Sequence, residues 1–384
     1  MKGIYWRPRH VSRNVLVLIA LLAVAGIGGV ELFQQKVKQK YFRSKIRAAK
    51  HMKAGMDELK RFRQKLGIPI DTENDPTGSG IIGLPISPIT SNSGSLESKQ
   101  TTINPNFAAV AVHLLKRAGV EKGDVIAVGL SGSFPGVNLA VLSACETLEL
   151  NPIIISSAAG SEWGGNIPGF TWLEMEKRLF DAGLIRPECG SIAASVGGVE
   201  DKGRGMASEG RKLLKKVIKK ANIPLLWPRN AGEGVDERMS LYEEHAGDRP
   251  IKAYINVGGG TISVGSAYGK RLFKPGLNRS LPPAANEIDS IMVRFAQQGV
   301  PVIHLTKIKD LAERYGLPMM PVEMPKVGQG NIFFKIEYNL WLVFGLLVSL
   351  IVFLWLLVRL NLADRFAAGG KSKKDSGGLP EPMV

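Results

Sequence analysis

The sequence predicts an α/β protein with a mainly parallel sheet and flanking helices, set between two single transmembrane helices. Short apolar runs alternate with helical patterns across residues 106–325, and a long apolar stretch lies near each end of the chain. Strands that alternate with helices form parallel sheets, because each helix returns the chain to the start of the next strand. An apolar stretch of about 20 residues is long enough to cross a bilayer as a helix.

The first apolar stretch, residues 14–33, follows a basic N-terminal tail, residues 1–13. This arrangement also occurs in cleaved signal peptides. However, the apolar stretch is long for that role, and a charged helix follows it in place of a neutral segment. The pattern therefore favours an uncleaved transmembrane anchor.

The second apolar stretch, residues 338–360, carries no charge before Arg359 and contains Trp341 and Trp355. Tryptophan is enriched where a helix meets the membrane surface. Two spans place both termini on the same side. The flexible C-terminal tail predicted for residues 361–384 has more Lys and Arg than the segment before the span, which favours cytoplasmic termini and an extracytoplasmic main domain at the inner membrane. The basic residues after the first span argue for the opposite orientation.

The net charge of +16 lies mostly beside the first predicted span. Residues 1–66 contain 16 Lys and Arg against 3 Asp and Glu, so the predicted globular part is nearly neutral. Positive charge next to a span directs topology and attracts anionic lipid head groups. We therefore expect the membrane as a partner and do not expect nucleic acid.

Residues 34–70 are predicted to form a basic amphipathic juxtamembrane helix, because apolar residues from Phe42 to Leu66 recur every three or four positions. Such a helix either associates with itself or with lipid, or packs on its own domain. Residues 71–105 are rich in Pro, Gly and Ser, and this composition predicts a linker or a long surface loop.

The α/β domain predicted for residues 106–325 opens with a helix in "FAAVAVHLLKRAG", a strand in "DVIAVGL", a helix in "NLAVLSACETL" and a strand in "PIIISSA". Further helices are predicted at residues 171–182, 208–220, 286–298 and 308–315. Further strands are predicted in "SIAASVG", "IPLLW", the "IKAYINV" run and "VPVIHL".

The turn "GLSGSFPG" places Ser131, Gly132, Ser133 and Gly136 between the first strand and its helix. Ligands of open α/β sheets bind at the carboxyl ends of strands, where free N–H groups favour an anion. The turn also resembles a Gly-x-Ser-x-Gly nucleophile elbow, with Ser in the last position. Anion binding, covalent catalysis by Ser131 or Ser133, and a simple tight connection remain open.

The second strand leads into "SSAAGSEWGGN", which supplies a second set of candidates. If the two strands are neighbours, this loop faces the first turn, with Glu162 as a candidate acid or base and Trp163 as a wall. A buried Trp163 beside a solvated Glu162 is the alternative. The remaining ligand-binding candidates in this loop are Ser157, Ser161 and Asn166.

Two further stretches contain candidate ligand-binding residues. The run "NVGGGTISVG" contains Gly259, Gly260 and Thr261, which either surround a phosphate or form a tight hairpin. Arg279 lies in a following loop and is a candidate for carboxylate recognition or an ordinary surface residue.

The sequence predicts no metal site, and it does not identify a cofactor. The three histidines of the domain, His113, His245 and His304, have no ligand spacing, and Cys145 and Cys189 form no metal-type pair. A disulfide between the two cysteines is left open.

Together, the stretches "GLSGSFPGVNLAVL", "SSAAGSEWGGNIPGFTWLEME", "NVGGGTISVG" and "GLNRSLP", between two apolar segments, resemble the bacterial poly-gamma-glutamate system protein family. The resemblance implies a capsule-related membrane protein that acts in poly-γ-glutamate biosynthesis and export, with other proteins of that system as partners. It transfers no catalytic residue.

Three functions are therefore open, and the sequence does not decide whether the protein is an enzyme. The leading expectation is an accessory component that binds a carboxylate-bearing ligand or the anionic polymer. The alternatives are a γ-glutamyl hydrolase or transferase with a serine nucleophile, and a nucleotide-binding regulator of the synthase. The last function requires a cytoplasmic domain.

Overall fold

The computed structural model describes residues 13–359, except for the side chains of residues 13–15, 357 and 358. The predicted basic tail at residues 1–13, apart from the backbone of Arg13, and the predicted tail at residues 361–384 lie outside this range. The described chain forms two compact units. One contains the residues up to Val37 and from Lys335, and the other is Lys38–Phe334.

The helices and strands alternate along most of the chain. The helices are α1 (Arg13–Leu32), α2 (Phe42–Lys65), α3 (Leu96–Thr102), α4 (Phe107–Ala118), α5 (Pro135–Leu148), α6 (Trp172–Asp181), α7 (Ser208–Lys220), α8 (Ala231–Ala246), α9 (Thr261–Val264), α10 (Gly269–Leu272), α11 (Ile291–Gln297), α12 (Ile308–Arg314) and α13 (Leu340–Arg359). The strands are β1 (Gln35–Lys38), β2 (Val125–Ser131), β3 (Asn151–Ser157), β4 (Asn166–Ile167), β5 (Phe170–Thr171), β6 (Ser191–Ser195), β7 (Leu225–Leu226), β8 (Ile251–Val257), β9 (Gly276–Asn278), β10 (Val302–Leu305) and β11 (Phe334–Glu337).

The terminal unit contains α1 and α13, and β1 pairs with β11. Helix α1 covers most of the first segment predicted as a membrane span, residues 14–33, and α13 lies within the second, residues 338–360. Among the residues that the structure describes, no helix combines the length and the apolar character of a membrane span. The two spans therefore stay predictions.

The large unit contains a seven-stranded sheet in the order β7-β6-β3-β2-β8-β10-β9. The strands are parallel, except for β9, which runs antiparallel to β10 at one edge. The predicted α/β class with a mainly parallel sheet is confirmed. The expectation that the first two strands of the domain are neighbours is also confirmed, because β2 and β3 pair in register from Val125 to Ser131.

The sheet is buried on both faces, and the alternation of side chains along β2 shows why. Ile126, Val128 and Leu130 pack with α2, α4 and α5 on one face, while Val125 and Ala127 pack with α8 and α11 on the other. Successive side chains of a strand point to opposite faces, so a nearly continuous apolar run fills two layers at once.

Helix α2 packs on the large unit through the apolar stripe that the sequence predicts. Ala49, Met52, Met56 and Leu59 are buried in the same cluster as α4 and α5. Gly55 permits this close approach, because a Cβ there would lie 2.8 Å from Cδ1 of Leu139. The stripe therefore serves packing on the protein's own domain, and the compact unit extends well beyond the predicted range of residues 106–325.

The polar segment at residues 71–105 is held against the large unit by hydrogen bonds. The buried guanidinium group of Arg63 donates to the carbonyl oxygens of Pro69, Gly80 and Ile82, at 2.6, 3.1 and 2.6 Å. The segment also contains the short helix α3. Its Pro-, Gly- and Ser-rich composition predicted a linker or loop, but Ile81, Ile82, Ile89 and Ile103 are buried in the main apolar cluster, so the segment also packs on the rest of the unit.

Two local elements differ from the expectations. The predicted tight hairpin at the three consecutive glycines is absent among the described strands. Instead, β8 ends at Val257, Gly258 adopts a positive φ of 85°, and the chain enters α9. Helix α8 was not predicted. Its sequence, "AGEGVDERMSLYEEHA", is mostly polar and contains two glycines, so its apolar periodicity is weak.

Candidate functional site

A cleft of about 640 Å³ lies at the carboxyl edge of the parallel sheet. It is lined by residues that follow β2, β3, β6, β8 and β10, together with residues 91–99. From β2, the chain adds β3, β6 and β7 in turn toward one edge of the sheet. It then crosses back, and β8 pairs with β2 on its other side. The order of strands reverses at this point, and crevices at such reversals are the usual ligand sites of open α/β sheets.

The structure brings together residues from the three candidate stretches. Those that line the cleft are Ser131, Ser133, Ser157, Ser161, Gly259, Gly260 and Thr261. A Cβ on Gly258 would lie 3.3 Å from Cβ of Ser131, which shows how closely the glycine run approaches the turn after β2. The parallel register places Ser131 directly beside Ser157.

The backbone of the turn after β2 is largely engaged within the protein. The N–H of Gly132 donates to the carbonyl oxygen of Ser157 at 2.9 Å, and the carbonyl oxygen of Gly132 accepts from Gly165 at 2.7 Å. The hydroxyl oxygens of Ser131 and Ser133 accept from the N–H groups of Ser133 and Ser161, at 3.2 and 3.0 Å. The turn thus presents hydroxyl groups to the cleft, while Gly132 itself does not line it.

Gly136 lies outside the cleft. A Cβ at this position would be 2.6 Å from the carbonyl oxygen of Thr102, so α3 packs directly on the first turn of α5. The start of α5 is therefore crowded by α3 on the side of Gly136.

Glu162, Trp163 and Asn166 hold a neighbouring loop and do not line the cleft. A carboxylate oxygen of Glu162 accepts from the N–H of Gly94 at 2.9 Å. The N–H of Trp163 donates to the carbonyl oxygen of Leu84 at 2.8 Å. The buried amide of Asn166 bonds both backbone groups of Leu84, at 2.9 and 2.8 Å. These contacts fasten residues 84–94 beside the cleft.

Lys99 is a cleft residue that the sequence did not indicate. Its side chain is buried, with 2% exposure, and its Nζ lies 3.1 Å from Oγ of Ser161 and 3.5 Å from the ring centroid of Phe134. Burial, together with the nearby charge of Lys270, lowers the pKa of Lys99 to about 7. Lys99 lies in a polar segment, and no local pattern distinguishes it from a solvated lysine.

Three exposed cations also line the cleft: Lys270, Arg271 and Lys307. Gly259 makes room for one of them, because a Cβ there would lie 3.0 Å from Nζ of Lys270. Of the described lining residues, Asp201 is the only acidic one. The cleft therefore carries an excess of positive charge.

Asp201 is neutralised by a buried ion pair with Arg238. Their side chains approach to 2.5 Å, and each is exposed by 6% or less. Arg238 also donates to the hydroxyl oxygen of Ser195 at 3.1 Å. The pair lines a small cavity of about 20 Å³ that shares Ser131 and Gly260 with the cleft. Asp201 thus forms part of the cleft wall without contributing a free negative charge.

Other candidates of the sequence lie elsewhere. The guanidinium group of Arg279 donates to the carbonyl oxygen of Arg117, near the C-terminal end of α4, and does not line the cleft. His304 is buried against Asn256 at 3.0 Å, and burial lowers its pKa to about 4. Cys145 and Cys189 are buried free thiols.

Comparison of the chain with protein-family models gives no match, and comparison with curated proteins gives none either.

Proposed function

We propose that this protein is a membrane-anchored accessory component of poly-γ-glutamate biosynthesis or export, and that its cleft binds carboxylate groups of the polymer. The observation that carries the binding proposal is the trio of exposed cations, Lys270, Arg271 and Lys307, around a cleft in which the one acidic residue among the described lining residues is already ion-paired. The pathway comes from the resemblance of the sequence motifs, and the anchoring from the two apolar stretches.

A chain of γ-linked glutamates carries one free carboxylate on each residue. Lysine and arginine bind carboxylates through charge-assisted hydrogen bonds, which are stronger than bonds between neutral groups. The hydroxyl groups of Ser131, Ser157 and Thr261 also line the cleft and offer donors to carboxylate or amide oxygens. A positive rim around a hydroxyl-rich floor therefore suits an anionic polyamide better than a neutral ligand.

The test is a calorimetric titration of the full chain, in detergent micelles, with a short oligomer of γ-linked glutamate. We expect binding that weakens with added salt, because exposed charge pairs are screened. Lys270→Gln and Arg271→Gln should each weaken binding by about 5-fold, on the order expected for one exposed charge-assisted contact.

Lys212→Gln is the matched control, because Lys212 is also an exposed lysine but lies on α7 and does not line the cleft. Equal loss of affinity in the control and in the cleft variants would assign the binding to general surface charge. Wild-type affinity in both cleft variants would reject the proposed site.

A further inference from the structure

Lys99 and Ser161 form a side-chain pair inside the cleft, and neither of the predicted nucleophiles has such a partner. Nζ of Lys99 lies 3.1 Å from Oγ of Ser161. Ser161 is 4% exposed and lines the cleft together with Lys99. In the part of the chain that the structure describes, the hydroxyl groups of Ser131 and Ser133 accept hydrogen bonds from backbone N–H groups and form none with a lysine or histidine side chain.

Burial without an acidic partner favours the neutral amine of Lys99. A buried lysine is normally paired with a carboxylate. Within residues 13–359, Lys99 has no such ion pair, and its amine faces a hydroxyl group and the ring of Phe134. Burial lowers the pKa of Lys99 to about 7, so a substantial fraction is unprotonated at neutral pH. An unprotonated amine can accept the proton of a serine hydroxyl group.

The segment that passes beside Ser161 places a glycine next to its hydroxyl group. Residues 91–94 run alongside residues 160–162, held by Ser91 N–H to Gly160 at 2.8 Å and by Glu162 N–H to Asn92 at 3.0 Å. A Cβ on Gly94 would lie 2.9 Å from Oγ of Ser161. Glycine at this position therefore keeps side-chain atoms away from the hydroxyl group.

We propose that Ser161 and Lys99 form a catalytic pair that hydrolyses γ-glutamyl amide bonds of a chain bound in the cleft. For its substrate, this inference rests on the proposed function. The rim cations hold the carboxylates of the chain, and the pair lies deeper, on the floor of the same cleft. Ser161 thereby replaces Ser131 and Ser133 as the nucleophile.

The reaction balances with water as the only co-reactant. Oγ of Ser161 bonds to the carbonyl carbon while its proton passes to Nζ of Lys99. The carbon–nitrogen bond then breaks, and Lys99 returns the proton to the leaving amine. Water attacks the resulting ester and gives a proton to Lys99. The bond to Oγ breaks, Ser161 takes that proton back, and a carboxylic acid and an amine are released.

The first experiment treats the full chain in micelles with a fluorophosphonate, which reacts with activated serines, and locates the adduct by mass spectrometry. We expect the adduct on Ser161 and its loss in Ser161→Ala. Lys99→Met should slow labelling by about 100-fold, the scale of a general base. Lys99→Arg should be equally slow, because arginine keeps the charge but cannot accept a proton.

Ser208→Ala and Lys212→Met are the matched controls, since both residues are exposed on α7, away from the cleft, and both variants should label as the wild type does. The labelling rate should rise with pH through about 7 and then level off, following the neutral form of Lys99. If Ser161→Ala or Lys99→Arg is labelled as fast as the wild type, the proposed catalytic pair of Ser161 and Lys99 is wrong.

A second measurement separates this inference from the proposed function. Oligomer binding and oligomer shortening are followed in the wild type and in Ser161→Ala. Shortening by the wild type, with binding but no shortening by Ser161→Ala, supports both proposals. If the wild type binds the oligomer but is not labelled and does not shorten it, the catalytic pair is wrong and the binding proposal stands. Labelling of Ser161 without oligomer binding keeps the pair and rejects the polymer as its substrate.

If Ser161→Ala fails to fold, as judged by its thermal transition, Ser161→Cys serves in its place. A thiol next to Lys99 should react with iodoacetamide at lower pH than an ordinary cysteine, whose pKa is about 8.5. An ordinary pH dependence of alkylation would overturn the pair.

Discussion

The amine of Lys99 lies 3.5 Å from the ring centroid of Phe134, and this contact joins α3 to the turn that follows β2. Phe134 is the residue that immediately precedes α5. A segment whose composition predicted a linker thus contributes a buried functional group to the edge of the sheet. A cation over an aromatic face is stabilised electrostatically, so the ring favours the protonated form of Lys99 against the effect of burial.

Phe134→Leu should therefore lower the pKa of Lys99 further. Loss of the ring removes a stabilising contact from the ammonium form and leaves the burial, so the midpoint of the pH profile of Ser161 labelling should move below its wild-type value near 7. Phe134→Tyr keeps an aromatic face and is the control. A midpoint that is unchanged in Phe134→Leu, or that rises, would contradict the contribution of the ring.

Gly94→Ala should impair labelling of Ser161. The added Cβ would lie 2.4 Å from the carbonyl oxygen of Glu162 and 2.9 Å from Oγ of Ser161, so residues 91–94 must shift. We expect the labelling rate to fall by about 10-fold, because a shift of part of an ångström should cost less than the roughly 100-fold of a 1 Å misplacement. Gly232→Ala is the matched control, because its nearest neighbour would be Oδ1 of Asn230 at 3.4 Å. Equal rates in the two variants would show that the segment does not position the nucleophile.

Asp201→Asn should destabilise the large unit strongly. Arg238 and Asp201 are almost fully buried, so removal of one charge leaves the other unpaired, at a cost of about 3–5 kcal/mol in the free energy of unfolding. The double variant Asp201→Asn with Arg238→Met removes both charges, keeps a residue that tolerates the positive φ of 61° at position 201, and should recover part of this loss. Denaturant unfolding measures both. If the double variant loses as much free energy of unfolding as Asp201→Asn does, the loss comes from altered packing and not from the unpaired charge.

Glu176→Gln should stabilise the protein at alkaline pH. Burial raises the pKa of Glu176 to about 7, while Ser191 donates to its carboxylate through N–H and hydroxyl, each at 2.8 Å. The folded state thus holds a proton that the unfolded state releases near pH 4.5. The stability contributed by the neutral carboxyl group is present at pH 4 and falls as the pH rises to 7.

Glutamine stays neutral across this range, so the gain in free energy of unfolding over the wild type should grow between pH 4.5 and 7, toward a value on the order of 3 kcal/mol. Denaturant midpoints at pH 5 and pH 8 give the difference. Glu174→Gln, which affects the capping box of the same helix, α6, should show no such pH-dependent gain. A gain that is constant between pH 5 and pH 8 would contradict the raised pKa.

A cysteine at Ser208 should report the side of the membrane on which the large unit lies. Cys145 and Cys189 are buried, so their background reaction is low. If the unit is extracytoplasmic, Ser208→Cys reacts with a membrane-impermeant maleimide in intact cells, whereas Lys371→Cys in the C-terminal tail reacts only after permeabilisation. The reverse pattern would place the unit in the cytoplasm and argue against the proposed orientation.

The elements of the sheet were predictable because their patterns are local. The apolar run of β2 is buried on both faces, and the amphipathic pattern of α7 places Leu214 and Ile218 in the core. Helix α8 was missed because its polar sequence buries only a few side chains, among them Tyr242 and Met239. The glycines after β8 were expected to surround a phosphate or to form a hairpin. They lead into α9 instead, beside Ser131 and Lys270, which belong to other parts of the chain.

Apolar periodicity therefore specified the α/β class and most strand and helix positions, since it depends on residues close in the chain. The clustering of Ser131, Ser157 and Ser161 depended in addition on the pairing of β2 with β3. Long-range packing decided the rest. Lys99 and Ser161 are 62 residues apart, and Arg238 and Asp201 belong to different elements. Burial sets the protonation of such groups, and a residue's burial depends on the parts of the chain that fold over it.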